Sequence, residues 1–284
     1  KVGLALVVAL YLAYSSFGIA GPFLWGHHGY HGGTYTMRAR MTLRFGLVVP
    51  ATAGGFDQPP DFHYYYLHHP IGYHHLLVPV MAVLGDAEWV SRLCAVVGGL
   101  FALFALYRLV SRWWSPAAGL LAVAVYVTLP VLCSFSVLSD PMLLELACCL
   151  IACEAFLRFL ERPGWRPLLT AQLALCFGGF LMWEVYFQAF FHGLYALAWW
   201  AKERGRAAKV GGLPAPLLWF LGTFVAKVLP FGFHFWFTRH VGMMDDFFDS
   251  FQEHSTAGIL WAINAQRHWL KLLYGLPTLI PNVL

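Results

Sequence analysis

The sequence predicts an all-α, polytopic transmembrane helical bundle with interfacial helices in a long first outer loop. Three observations predict it. Sixty per cent of the 284 residues are hydrophobic and eleven per cent are charged, and mean hydropathy is +0.63, well outside the range of soluble domains. The apolar residues fall in runs near the roughly 20 residues that a helix needs to cross about 30 Å of hydrocarbon. Polar groups are segregated: arginines and lysines gather in short connections, while eight of the thirteen histidines lie between Gly21 and Val90.

Taken in order, the spans are expected at 2–20, 91–109, 116–133, 141–160, 167–182, 185–200 and 213–233, with a weaker, interrupted one at 257–281. Residues 2–20 have the look of a leader peptide, but the many spans that follow favour a retained first helix. Residues 76–84 form an apolar run too short to cross, closed by Gly85-Asp86, and suit an interfacial helix. Pro116 opens its helix, and Asp140-Pro141 reads as an N-cap followed by proline at the first helical position. Pro163-Gly164 and Gly211-Gly212 end helices at turns. The whole of 1–284 is read as one transmembrane domain with 21–90 as its outer loop. A start without Met and an end just after an apolar stretch fit a portion of a longer chain.

Orientation follows from the basic clusters. Arg108 and Arg112, then Arg158, Arg162 and Arg166, then Lys202, Arg204, Arg206 and Lys209 fall on one side if the spans alternate. That side is expected to be cytoplasmic. The outer face then receives the histidine-rich loop, the 134–140 turn, the 182–184 turn and the 234–256 loop. A net charge of +4, spread over short loops, excludes nucleic-acid binding. The six cysteines show no metal-binding CxxC pair and read as small buried hydrophobes.

Several outer residues carry chemistry. A helix starting near Thr34 presents Arg40 and Arg44 on one face, where two forked guanidiniums can hold a phosphate or simply reach toward lipid head groups. His68 and His69 can ligate a divalent metal with oxygen from Asp57 or Asp61, although no HExxH set occurs. The sequence demands no cofactor, and such a metal is the one it offers. Asp57 and Asp61 flank a proline-stiffened turn and can act as general bases. Asp140 caps a helix at the outer mouth of its span, and Glu184 lies between two apolar segments, where an acid usually faces a polar cavity. Glu145 and Glu154, nine residues apart in one span, are expected to pair with polar neighbours rather than act together. Lys227 is the cation of the seventh span, placed toward its outer end, and Arg239 follows in the next loop.

Three segments taken together resemble a known family: Ala39-Arg40-Met41-Thr42-Leu43-Arg44-Phe45-Gly46, Tyr65-Tyr66-Leu67-His68-His69-Pro70 and Gly85-Asp86-Ala87-Glu88-Trp89-Val90-Ser91-Arg92-Leu93. They are similar to the N-terminal half of GT-C membrane glycosyltransferases, nearest to the protein O-mannosyltransferase and aminoarabinose transferase group, over about residues 1–200. The resemblance implies a GT-C-like fold, a catalytic acid from the first outer loop and an aspartate at the outer end of a later span, which Asp140 resembles. It further implies a polyprenyl-phosphate-linked sugar as donor, an acceptor on the outer face and a lipid setting. The expected home is a cell membrane, a bacterial inner membrane first, with the active face periplasmic or extracellular.

The departures are specific. Where the family carries Asp or Asp-Glu, this chain has His27-His28-Gly29-Tyr30-His31-Gly32, and Ile71 stands where a second proline is common. Either Asp61 or Asp57 serves as base, or His31 does, or transfer has been lost. Asp140 and Glu184 would bind the acceptor or orient the base, with Arg40, Lys227 and Arg239 near the phosphate. The alternative function is a catalytically silent GT-C-like subunit of a larger membrane protein complex. A transporter would need polar groups reaching both faces, and the notable ones here cluster outward.

Overall fold

The computed structural model describes residues 2–20, 27–46, 70–203, 209–240, 242 and 244–245, with side chains of 27–31 and 203 set aside. It is an all-α helical bundle. Its elements are α1 (Val2–Ile19), α2 (His27–Phe45), α3 (Gly72–Leu84), α4 (Glu88–Trp113), α5 (Pro116–Thr128), α6 (Pro130–Phe135), α7 (Met142–Glu161), α8 (Trp165–Leu181), α9 (Val185–Glu203), a hairpin of β1 (Lys209–Val210) and β2 (Leu213–Pro214), and α10 (Ala215–His240).

Of the described helices, α1, α4 and α10 are long and apolar enough to cross a membrane by length and composition. Apolar side chains also stand exposed around the outside, among them Phe17, Phe101, Leu121, Leu173, Phe187 and Phe224. An apolar exterior of this extent is what lipid, rather than water, accommodates.

Four departures from the expected spans have local causes. The segment expected as one helix over 116–133 is broken. Leu129 takes an extended conformation (φ −69°, ψ 126°) ahead of Pro130, the conformation that proline's ring favours in the residue before it. α2 begins at His27 rather than near Thr34. α10 runs on to His240, past the expected end at 233. Finally, Pro141 rather than Asp140 occupies the N-cap position of α7 (φ −71°, ψ −14°). The short apolar run before Gly85 is helical, as expected, and forms α3.

Three of the hydrophobic clusters among the described residues shape the bundle around the site. Tyr11, Leu103, Val123, Leu132 and Leu143 join α1, α4, α5, α6 and α7. Tyr35, Tyr73, Leu77, Met81, Leu144 and Leu181 seat α2 and α3 against α4, α7 and α8. Phe156, Phe159, Leu168 and Trp219 bind α7, α8 and α10 around the β hairpin residue Val210. Between β1 and β2, Gly211 and Gly212 both have positive φ (59° and 85°), the geometry that a two-residue hairpin turn of this hand requires.

Arg92 ties two helix ends together. Its side chain is 4% exposed, and it ion-pairs with Glu88 at 3.8 Å. It also donates to the carbonyls of Gly18 (3.2 Å) and Ile19 (2.8 Å), at the end of α1. Those carbonyls have no intrahelical partner, and a cation there also meets the negative end of the helix dipole. Replacing Arg92 by Met is therefore expected to destabilise the protein by about 3 kcal/mol, read as a lowered unfolding midpoint in detergent.

The helix ends alternate. The end of α1 meets the start of α4 through Arg92, and the end of α4 meets the end of α7 through Arg112 and Glu161. Arg108, Arg112, Arg158, Arg162 and Arg166 consequently share one end of the bundle and line one groove there. Asp86, Asp140 and Glu184 lie at turns of the opposite end.

Candidate active site

The site is built where α7 begins and α8 turns into α9. Asp140 Oδ1 accepts the Met142 N–H at 2.9 Å, so the carboxylate holds the first turn of α7 from one residue farther out than an N-cap. Just before it, the Ser139 hydroxyl lies 3.4 Å from the Tyr73 hydroxyl, which anchors α3 to the same turn. Gly72, at the start of α3, lets the helix seat against α8, where a Cβ would collide with the Phe180 carbonyl oxygen. Tyr35 of α2 packs edge-on against Tyr73 at 5.3 Å.

Two further carboxylates face Asp140. Glu145 lies in the first turn of α7 and is buried. It accepts from the Val185 N–H at the head of α9, while its Oε1 has no hydrogen-bond partner among the described residues. Glu184, in the turn, is exposed. Burial pushes the Asp140 carboxyl up to about 6 from 3.8, the Met142 N–H opposes this, and the Glu184 charge adds to it. A half-buried carboxylate that gains and loses its proton near neutrality is suited to proton transfer.

The α10 side closes the group with aromatic rings. Trp183 packs edge-on against His234 at 5.1 Å and lies 5.7 Å from Tyr186. The Tyr186 hydroxyl donates to the Lys227 carbonyl at 3.3 Å, and the Lys227 ammonium sits 5.8 Å from the Phe190 ring, within range of a cation–π attraction. Because α10 continues to His240, Lys227 is midway along its own helix rather than near the end. Its carbonyl is nonetheless level with the first turn of α9. Arg239 is exposed in the last turn of α10 and makes no ion pair among the described residues.

Arg40 and Arg44 line a separate groove of about 600 Å³ with Met81, Gly85 and Asp86. Arg40 is paired there with the Asp86 carboxylate at 3.2 Å and donates to the Asp86 carbonyl. Asp86 follows Gly85, the C-cap of the 13-residue α3, whereas Tyr73 and Asp140 lie at its first turn. The length of that helix, about 18 Å, separates the arginine pair from the carboxylates.

Asp57, Asp61, His68 and His69 lie outside the described residues, and so does the side chain of His31, whose backbone belongs to α2. Among the described residues no three His, Cys, Asp or Glu side chains converge to hold a metal. Glu154 pairs with Arg108 and Arg158, as expected of it. Glu145, expected to behave likewise, instead joins Asp140 and Glu184. The signal for it in the sequence is slight: an acid five residues after Asp140, in the first turn of the same helix.

The chain is a member of the dolichyl-phosphate-mannose-protein mannosyltransferase family, whose model matches residues 68–229, more than half of its length. It is thus a multi-pass membrane glycosyltransferase of the GT-C type. No curated protein and no solved structure matches the chain. The family match spans α3 to α9 and most of α10, and so includes Asp140, Glu145, Glu184 and Lys227.

Proposed function

We propose that the protein transfers a sugar from a polyprenyl-phosphate donor to a hydroxyl acceptor at the outer face of a cell membrane, the periplasmic or extracellular face of a bacterial inner membrane. The observation that carries this reading is the Asp140 carboxylate, fixed at the head of α7 beside Glu145 and Glu184 in a chain of this family. Asp140 takes the proton of the acceptor hydroxyl as its oxygen bonds to the anomeric carbon. The bond from that carbon to the phosphate oxygen breaks, and the polyprenyl phosphate departs with the electron pair. A single displacement of this kind inverts the anomeric centre.

Glu184, exposed beside it, orients the acceptor. Lys227 on α10 offsets the charge on the leaving phosphate, while Arg239, twelve residues and about 18 Å farther along the same helix, lies too far away to share it. The exposed rings of Phe187, Phe190 and Phe224 around Lys227 give an isoprenoid tail an apolar surface to lie on. Arg40 and Arg44, at the far end of α3, suit a phosphate in a second position, such as that of a lipid acceptor. Asp61, Asp57 and His31 belong to the 21–90 loop and are the competing bases.

Reconstituted protein assayed with polyprenyl-phosphate sugars tests the reading, with Asp61→Asn and His31→Ala run beside the wild type. Transfer by the wild type and by both variants supports Asp140 as the base. Loss in one variant alone moves the role to that residue. No transfer by the wild type from any such donor overturns the enzymatic reading in favour of a silent subunit, for which the missing acid in 27–32 speaks.

A further inference from the structure

We propose that the basic end of the bundle, opposite the carboxylates, holds a binding site for the head group of an anionic phospholipid. The site is a groove of about 670 Å³ between α4, α7 and the start of α8. Arg108, Arg112, Arg158, Arg162 and Arg166 line it. Two carboxylates are already committed to three of them. Buried Glu154 bridges Arg108, at 3.3 Å, and Arg158, and Glu161 takes Arg112. Five arginines against two carboxylates leave three positive charges, and among the described residues neither Arg162 nor Arg166 makes an ion pair.

Helix ends distinguish these arginines. Arg112 and Arg158 lie in the last turns of α4 and α7, where the helix dipole favours a cation. Arg166 is the second residue of α8, a helix with no acid in its first turn and no side-chain cap from Gly164. A cation there opposes the dipole, and the first backbone N–H groups of α8 have no partner within the helix. An anion at this point would satisfy the N–H groups, Arg162 and Arg166 together. The tendency of basic residues to gather on one membrane side accounts for the number of arginines, but not for one at the unfavourable end of a helix.

The groove's other wall decides what carries the anion. Phe101, Phe104 and Ile151 continue it toward the bundle centre, and both phenylalanines are exposed. Glu154 lies seven residues from the end of α7, so the charged floor reaches about 10 Å into the structure, the depth at which phosphate gives way to acyl chain. A free phosphate would leave the rings uncovered; a phospholipid fills both parts. Basic pockets between membrane helices take anionic head groups on these grounds. The proposal stands independently of the transfer reaction.

The test uses the whole protein in nanodiscs of phosphatidylcholine, alone or with phosphatidylglycerol, with native mass spectrometry reading the lipid retained. The wild type is expected to retain phosphatidylglycerol over phosphatidylcholine, and millimolar inorganic phosphate is expected not to displace it. R162Q/R166Q should weaken retention about twenty-fivefold, at roughly fivefold per arginine, whereas R162K/R166K should keep most of it. If the double variant does not fold in phosphatidylcholine alone, R162Q and R166Q are read singly at about fivefold each. Equal retention of the two lipids, unchanged retention in the glutamine variants, or displacement by phosphate would overturn the proposal.

Discussion

Replacing Asp140 by Asn is expected to lower sugar transfer by about a thousandfold, within the range spanned by loss of a general base. The fold should survive, because an asparagine oxygen can still accept the Met142 N–H that Asp140 now holds at 2.9 Å. The wild type should show transfer rising as pH passes about 6, where the Asp140 carboxyl ionises, and level above it. Stability should move the other way. The carboxyl is raised from 3.8 to about 6 by folding, so its contribution is fully present below about 4 and is lost as pH rises through 6. At pH 7 the Asn variant, free of that charge, should unfold no earlier than the wild type. A rate within tenfold of the wild type would remove Asp140 from the chemistry.

Gly98→Val is expected to cost about 3 kcal/mol, at the upper end of ordinary overpacking. A Cβ at this position would lie 2.7 Å from the Leu144 nitrogen and 3.0 Å from the Leu143 carbonyl carbon. Both are backbone atoms and cannot rotate away. Small residues allow membrane helices such as α4 and α7 to approach this closely. Leu143 and Leu144 belong to the same turn as Glu145 and directly follow Met142, so displacing them also moves the carboxylates. The variant should therefore lose transfer as well as thermal stability, with Gly98→Ala milder in both. A Gly98→Val protein as stable as the wild type would mean that α4 and α7 cross elsewhere.

Much of this architecture could be read from the chain alone. Long apolar runs and clustered arginines determine where helices cross and which ends share a face, because hydrocarbon rejects both charge and unpaired backbone. The break at Leu129 was not legible: Pro130 disfavours a helical residue before it, yet α3 and α10 run on through Pro79 and Pro230, so a proline alone does not mark a break. Helix α2 is different. His27 to Gly33 contains three glycines, and the helix forms where local propensity opposes it.

The site was legible only in part. Asp140 and Glu184 announce themselves as acids at the edges of apolar segments. Glu145 does not, because only the packing of α9 against α7 brings the Val185 N–H to its side chain. Arg40 and Arg44 share a helical face, as their spacing requires, yet Arg40 is claimed by Asp86, forty-six residues away. Pairings at such separation follow from how helices stack, which no local pattern encodes.

The helices that stand side by side in this bundle differ greatly in height. At 26 residues, α4 and α10 extend about 39 Å, while α8, at 17 residues, extends about 26 Å. The surplus length of α4 is polar: Glu88 and Arg92 stand near its start and Arg108 and Arg112 near its end, so its uncharged stretch, residues 93–107, extends about 23 Å and is no longer than α8. A thin bilayer suits both, and under the proposed transfer reaction a thinner bilayer is expected to bring head-group phosphates nearer to Lys227, midway along α10.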